Sequence, residues 1–500
     1  MSYRTLFLLL LLAIISPPLQ ADDITPEHGK YTQSYQSDWS QLPTGDILTH
    51  NDVNQIPFIP IVGENHKANY TFTDLPTVHL SNLHFQVSWN QASSKYQTTL
   101  MHFENVDEVI LDNISIMNMD SDYRAYHSIL IEGADRVIIR NLYLAGTVHS
   151  YHLRVEGCAE VLIENVEIAG KQYSGSSFHR LGGGIWIKNG NTGGGGIDNT
   201  GMSIDHPRLP GWQVIQNCYI HDNTEDDGAG RNQDGILFHA PGHGIVFNNT
   251  VENWLRPNAD AAMDLGYRRV EPEYQSRILR VERNIVRNAT YFKTPGTAPG
   301  PNLLYLVNNL MINTQIADYH GGGNDVHYLH NTFIYDPTKS PTHLTFRVTP
   351  ITKTIARLWD FYGPTYMENN LFYRLDHGFD IIYISASLSQ DKYLHFVPNH
   401  NVYAVPAVST DFLTNSSYVP VISTLNDWQQ ETSYDMQSVV VSPSTVPFAD
   451  YVNDNYQLTS NPWPTVTDTQ TISFNGVLLQ VTQDFNGNPS NQTPGAFTAP

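Results

Sequence analysis

Val109-Ile110-Leu111-Asp112-Asn113-Ile114, Val137-Ile138-Ile139-Arg140-Asn141-Leu142 and Val161-Leu162-Ile163-Glu164-Asn165-Val166 repeat one pattern. Each is a short apolar strand, a polar residue, an asparagine, and the start of a second apolar strand. The asparagine returns as Asn82, Asn113, Asn141, Asn165, Asn217, Asn249, Asn284, Asn309, Asn331, Asn370 and Asn401, with closest intervals of 22 to 31 residues. The 52 residues from Asn165 to Asn217 fit two coils, or one coil with a Gly-rich insertion between Gly182 and Gly201. Period-2 strands joined by a polar residue at constant phase describe a parallel β-helix, with coils stacked about 4.8 Å apart. Asparagine suits the corner because it tolerates left-handed backbone, and stacked asparagines can hydrogen-bond along the ladder. A sandwich or propeller would instead show closely spaced hairpin turns such as Asn-Gly, which are scarce here.

Composition supports one long solenoid. Of 500 residues, 40% are hydrophobic and 11% aromatic, enough for a sizeable core, while 15% charged is too few for a coiled coil. Acids outnumber bases 49 to 27, for a net charge of −22, which argues against nucleic acid as a partner. The chain opens with basic Arg4, the apolar run Leu6 to Ile15, the breakers Pro17 and Pro18, and Ala21 before Asp22. This reads as a secretory signal peptide over 1–21, and no later run is long enough to cross a bilayer. Losing Arg4 leaves 26 bases against 49 acids, or −23. The expected product is a secreted or periplasmic monomer: a cap segment over 22–74, the β-helix over 75–410, and C-terminal coils with a cap over 411–500. Cys158 and Cys218 fall on different strands of the repeat and read as two buried free thiols.

The repeats resemble those of the right-handed parallel β-helix proteins of the pectate-lyase-like superfamily. The closing stretches Asn455 to Ser460, Asp484 to Pro489 and Gly495-Ala496-Phe497 look like that family's C-terminal segment. The resemblance implies an all-β solenoid with N- and C-terminal caps and a carbohydrate-active protein. It does not choose among lyases, hydrolases, epimerases and non-catalytic adhesins.

Aligning Ile129–Glu132, Leu153–Glu156, Ile185–Lys188, Ile236–His239 and Met263–Gly266 as equivalent strands puts Ile131, Val155, Ile187, Phe238 and Leu265 inward. Two outward stripes result: Leu130, Arg154, Trp186, Leu237, Asp264, and Glu132, Glu156, Lys188, His239, Gly266. In an acidic chain, Arg154, Lys188 and Arg268 beside this face suggest a basic groove. With Trp186 and Tyr267 to stack on sugar rings, it suits an anionic polysaccharide. Tyr126-His127, Tyr151-His152 and Tyr319-His320 could supply proton donors and acceptors, which adds His152 and His320 to the candidates.

A second cluster is acidic: Glu225, Asp226 and Asp227, then Asn232-Gln233-Asp234-Gly235, then Asp260 and Asp264. From Asp234 to Asp260 is 26 residues, one coil, so the carboxylates could stand roughly 5 to 10 Å apart. That spacing suits an acid–base pair for glycoside hydrolysis. It equally suits a calcium site built from Asp226, Asp227, Asp234 and Asp260, or plain turn caps. The Asn-Gln-Asp-Gly element resembles the Asn-Thr-Asp-Gly of polygalacturonase-type hydrolases, but the Asp-Asp pair of the next coil is missing. No element for a nucleotide cofactor or a serine nucleophile is present.

The expectation is a polysaccharide lyase cleaving a uronate-containing chain by β-elimination. Arg154, Arg268 or calcium would neutralise the carboxylate, and Lys188, His239 or Arg268 would take the C5 proton. A hydrolase using Asp234 with Asp260 or Asp264, and a non-catalytic glycan-binding protein, are the alternatives.

Overall fold

The structure is a computed structural model that describes residues 47–49 and most of 70–497. Outside the description lie 1–46, 50–69, 88–95, 119–123, 170–181, 189–210, 224–233, 255–260, 267–276, 297–301, 321–324, 340–355, 360–363, 376–381, 385–395, 407–412, 416–423, 464–470, 490–493, 498–500 and a few isolated positions. The expected signal peptide and most of the segment 22–74 therefore fall outside the described residues.

From Tyr70 to Val441 the chain winds as a parallel β-helix with three strand-bearing sides, each strand pairing in parallel with its equivalent one coil away. Side A runs through Tyr70–Thr73, Met101–Glu104, Ile129–Glu132, Tyr151–Glu156, Gly183–Lys188, Ile236–His239 and Met263–Leu265. Side B follows after one corner, and side C after a second. Strands such as Glu108–Asn118 and Arg136–Gly146 serve both B and C, bending between them. The bend is the asparagine corner: Asn82, Asn113, Asn141, Asn165 and Asn217 have φ of 54–58°, left-handed backbone that asparagine accepts at low cost.

From the next coil onward the phase differs from the sequence expectation. The left-handed seats are Asn248, Arg283, Asn308, His330, Asn369 and His400, each one residue earlier than the expected asparagine. Asn249, Asn284, Asn309, Asn331, Asn370 and Asn401 instead lie one step further on, buried to within 1% of full coverage. In the earlier coils that inward column holds Ile114, Leu142, Val166 and Cys218. An amide in a dry core must be satisfied, and here each is satisfied by the next. Asn249 Nδ2 donates to Asn284 Oδ1 at 3.0 Å, and the relay continues through Asn309, Asn331, Asn370 and Asn401. It ends where the Asn401 N–H donates to Ser438 Oγ, whose hydroxyl donates to Asp435. The outer asparagines also stack, Asn113 Nδ2 donating to Asn82 Oδ1 at 2.7 Å and Asn248 Nδ2 to Asn217 Oδ1 at 2.8 Å.

Two apolar cores result. One fills the coil interior, where the expected inward column Ile131, Val155, Ile187, Phe238 and Leu265 is buried without exception. The other lies outside side C. There Leu310, Ile312, Ile334, Leu371, Tyr373 and Val402 face outward and are covered by the C-terminal segment through Val446, Tyr456, Leu458, Trp463 and Phe497. That segment is thus a strap along the flank, and the true end cap is the helix Leu425–Thr432. Thr424 and Asp427 form its capping box, and Leu425 and Trp428 close the interior core. Cys158 and Cys218 are both free and buried, at different corners, and burial pushes each thiol up to about 12. Among the described residues, no helix is long and apolar enough to cross a membrane.

Candidate functional site

Register on side A matches the alignment read from the sequence. Leu130, Arg154, Trp186, Leu237 and Asp264 are neighbours on successive rungs, as are Glu132, Glu156, Lys188 and His239. Strand alternation puts both stripes on the outer face because Ile131, Val155, Ile187, Phe238 and Leu265 take the inner one. Five of the candidate residues, Arg154, Trp186, Lys188, His239 and Asp264, therefore converge although 110 residues separate the first from the last (264 − 154).

The face is not the open basic groove expected from its cations. Arg154, Glu156 and Asp264 are 5%, 2% and 1% exposed. Charges held so far from water require counter-charges, and the stripes supply them. Arg154 Nε donates to Glu156 Oε1 at 2.7 Å and its Nη2 donates to the same oxygen, while Lys188 Nζ lies 3.7 Å from it. On the preceding rungs His102 Nε2 stands 2.6 Å from Glu132 Oε2. The carboxylates Glu132 and Glu156 belong to the stripes in the sequence, but counting bases alone passed over them.

His239 and Asp264 form the second unit. His239 Nε2 lies 3.0 Å from Asp264 Oδ1, across adjacent rungs, with the carboxylate almost wholly buried. A buried carboxylate on one ring nitrogen fixes the imidazole's orientation and tautomer, the usual arrangement of a positioned general base.

Asp234 and His152 are engaged within the fold. Asp234 Oδ1 accepts the Ala261 N–H at 2.7 Å and Oδ2 the Tyr151 hydroxyl at 3.1 Å, which ties three coils together. His152 is buried, its Nε2 donating to Gly146 O and its Nδ1 accepting from Ser128 Oγ. Burial lowers its pKa to about 4, the Gly146 bond opposing. Its neighbour His127, not singled out by the sequence beyond the Tyr126-His127 pair, donates from Nδ1 to Tyr151 O and accepts from Arg154 Nη1 at Nε2. His320 ends the strand Leu310–His320 on a later rung of side A, paired with Gly296; its side chain is outside the described residues. So are Tyr267, Arg268, Asp226, Asp227 and Asp260, and with them most of the expected calcium set. Among the described residues, no group of three or more His, Cys, Asp or Glu is arranged to hold a metal ion.

A second titratable cluster, absent from the sequence reading, lies on side C. His221 Nδ1 is 2.9 Å from Asp222 Oδ2 and its Nε2 is 3.3 Å from Glu167 Oε1. Tyr219 donates to Glu252 and stacks on His221 with centroids 4.1 Å apart. Only the register, Glu167 to Tyr219 and His221 to Glu252, brings these residues together.

Compared with known proteins, the chain matches no family model and no curated protein.

Proposed function

We propose that the protein is a secreted carbohydrate-active enzyme of the pectate-lyase-like kind, binding an anionic polysaccharide along side A and cleaving it by β-elimination. The observation that carries this reading is the His239–Asp264 pair one rung from Lys188. Elimination at a uronate needs a cation to hold the carboxylate, whose inductive pull acidifies the C5 proton, and a base to remove that proton. Lys188, whose side chain is 22% exposed, supplies the positive charge that meets the substrate, with Arg154 behind it, buried against Glu156. His239, held by Asp264 at one nitrogen, takes the proton on the other. The C5–H electrons form the C4–C5 double bond, the C4–O bond breaks, and the leaving oxygen takes a proton from a hydroxyl or water. Calcium, were it held by carboxylates such as Asp226, Asp227 and Asp260, would add charge at the substrate acid.

The hydrolase alternative draws less support, since Asp234 is bound by Ala261 and Tyr151, and Asp264 by His239. A panel of uronate polysaccharides decides between them. Ultraviolet absorbance from an unsaturated product is expected; new reducing ends without that absorbance would establish hydrolysis, and binding with no product would leave a docking protein.

A further inference from the structure

We propose that Asp435 is a pH-sensitive latch on the C-terminal cap, holding the cap against the last coil in acid and loosening it as the carboxyl ionises. The latch is independent of the glycan reading of side A.

Asp435 stands where the cap meets the solenoid. Its N–H donates to Pro398 O at 3.0 Å, on the side B strand Phe396–Asn399. Its carbonyl accepts from Gln429 Nε2 of the cap helix at 2.6 Å and from the Ser438 N–H at 3.0 Å. Its carboxyl accepts the Ser438 hydroxyl at Oδ1 and the Tyr403 hydroxyl at Oδ2, the second at 2.8 Å. Tyr403 lies in the strand Val402–Ala404 with its ring in the interior core, and Ser438 ends the asparagine relay by accepting the Asn401 N–H at 2.6 Å. One side chain thus joins the relay and the last coil to the segment that carries the cap helix.

The surroundings favour the neutral form of that side chain. Asp435 is 1% exposed, and both partners of its carboxyl are uncharged hydroxyls. A hydroxyl accepts as well as it donates, so a protonated carboxyl can be satisfied there as a carboxylate is. Only the carboxylate bears the cost of a buried charge without a cation beside it. The titratable neighbours do not supply one. Tyr403 is pushed up by burial and stays neutral, Tyr434 is half-buried, and Asp427 and Glu431 of the cap helix are exposed acids. His400, next to Asn401, has its pKa lowered by burial.

The sign follows. Burial raises the Asp435 carboxyl from 3.8 to about 6, with the bonds from Ser438, Tyr403 and Asn401 opposing. If opening the cap returns the carboxyl to its ordinary value, closure is favoured in full below 3.8. It then weakens by about 100-fold as pH rises through the raised value, about 30-fold of this between pH 4.5 and 8. His400 works in the other direction, because an imidazole held low favours closure as pH rises. The direction of the change therefore identifies the group.

The test is hydrogen–deuterium exchange of the full chain, read by mass spectrometry from pH 4.5 to 8, each rate divided by the intrinsic rate at that pH. Peptides over 425–441 report the cap, and peptides over 129–146 are the reference. Protection of the cap is expected to fall by about 30-fold across the range while the reference stays level. Asp435→Asn, which keeps the shape and removes the charge, should abolish the fall. Tyr403→Phe removes one hydroxyl that steadies the carboxylate, so it should move the midpoint upward by about one unit. A level cap in the wild type, protection that rises with pH, or a fall that persists in Asp435→Asn would each overturn the latch. Should Asp435→Asn not fold, the midpoint in Tyr403→Phe decides: an unmoved midpoint assigns the titration to another group.

Discussion

Asn309 carries the strongest stability prediction in the molecule. It sits in the middle of the inner asparagine relay, fully buried, and its side chain makes four hydrogen bonds. Oδ1 accepts from the Asn284 N–H at 3.0 Å and from Asn284 Nδ2 at 2.9 Å; Nδ2 donates to Val281 O at 2.8 Å and to Asn331 Oδ1 at 2.9 Å. Asn309→Ala removes all four and strands two donors of Asn284 in a dry interior. At about 1–3 kcal/mol for each buried unmet group, the cost is about 4 kcal/mol, well above the ordinary single-residue effect of about 1 kcal/mol. Asn309→Asp keeps the volume and Oδ1 but turns the second atom into an acceptor facing two acceptors. Its cost should match or exceed that of alanine at neutral pH. A buried carboxyl has its pKa raised above about 3.9, so this deficit shrinks as pH falls and grows as pH rises through the raised value. The control is Asn113→Gly in the outer ladder. Asn113 makes one exposed bond to Asn82, and glycine accepts its φ of 57°, so a loss below about 1 kcal/mol is expected. Guanidinium unfolding read by far-ultraviolet circular dichroism and by tryptophan fluorescence gives the difference from the midpoint shift, provided the two transitions coincide, since solenoids can unfold in parts. A loss under about 1.5 kcal/mol for Asn309→Ala, or equal losses at Asn309 and Asn113, would refute the claim that the inner relay is essential and the outer one is not.

Three further outcomes are expected. Asp264→Asn should lower turnover of a uronate substrate by about 100-fold or more with little change in melting temperature, because it removes the group that orients His239; unchanged kcat would dismiss His239 as the base. Burial lowers the pKa of His221, but the hydrogen bonds to Asp222 and Glu167 outweigh it and raise the value to about 9. A raised folded pKa stabilises fully below about 6.5 and is lost as pH rises through about 9, so the stability gap between wild type and His221→Gln, up to about 3 kcal/mol, should close over that window in pH-dependent melts. His152, His243 and His327 show the opposite sign: burial lowers each to about 4, so stability is present above about 6.5 and drains as pH falls through 4. His152→Asn should flatten that acid limb, and an unaltered acid transition would show that other groups govern it.

The fold was legible because a solenoid repeats its instructions. The apolar alternation in Val109–Leu111, Val137–Ile139 and Val161–Ile163 admits one inward face, and a one-residue slip would turn every side chain outward. The same rule made the stripes of side A readable to the residue. The second half of the ladder was misphased for a local reason. In Asn248-Asn249, Asn308-Asn309 and Asn369-Asn370 two asparagines compete for one corner; in Arg283-Asn284 the left-handed seat falls to a residue type that seldom takes it, and in His330-Asn331 and His400-Asn401 it falls to histidine, which takes it more readily than most. The inner amides repay that strain by bonding along the core, a gain that arises only between coils.

What the chain determined by itself is the coil: strand periodicity and corner residues are set by neighbours in sequence, and they fix which side chains point out together. What only the tertiary structure decided is the state of those side chains. Whether Arg154 is an open cation or a buried partner of Glu156, whether Asp234 is an acid or a tie between coils, and whether His239 has a carboxylate behind it all depend on atoms brought together across rungs and shielded from water. Burial and partnership are properties of the stack, and no single coil encodes them.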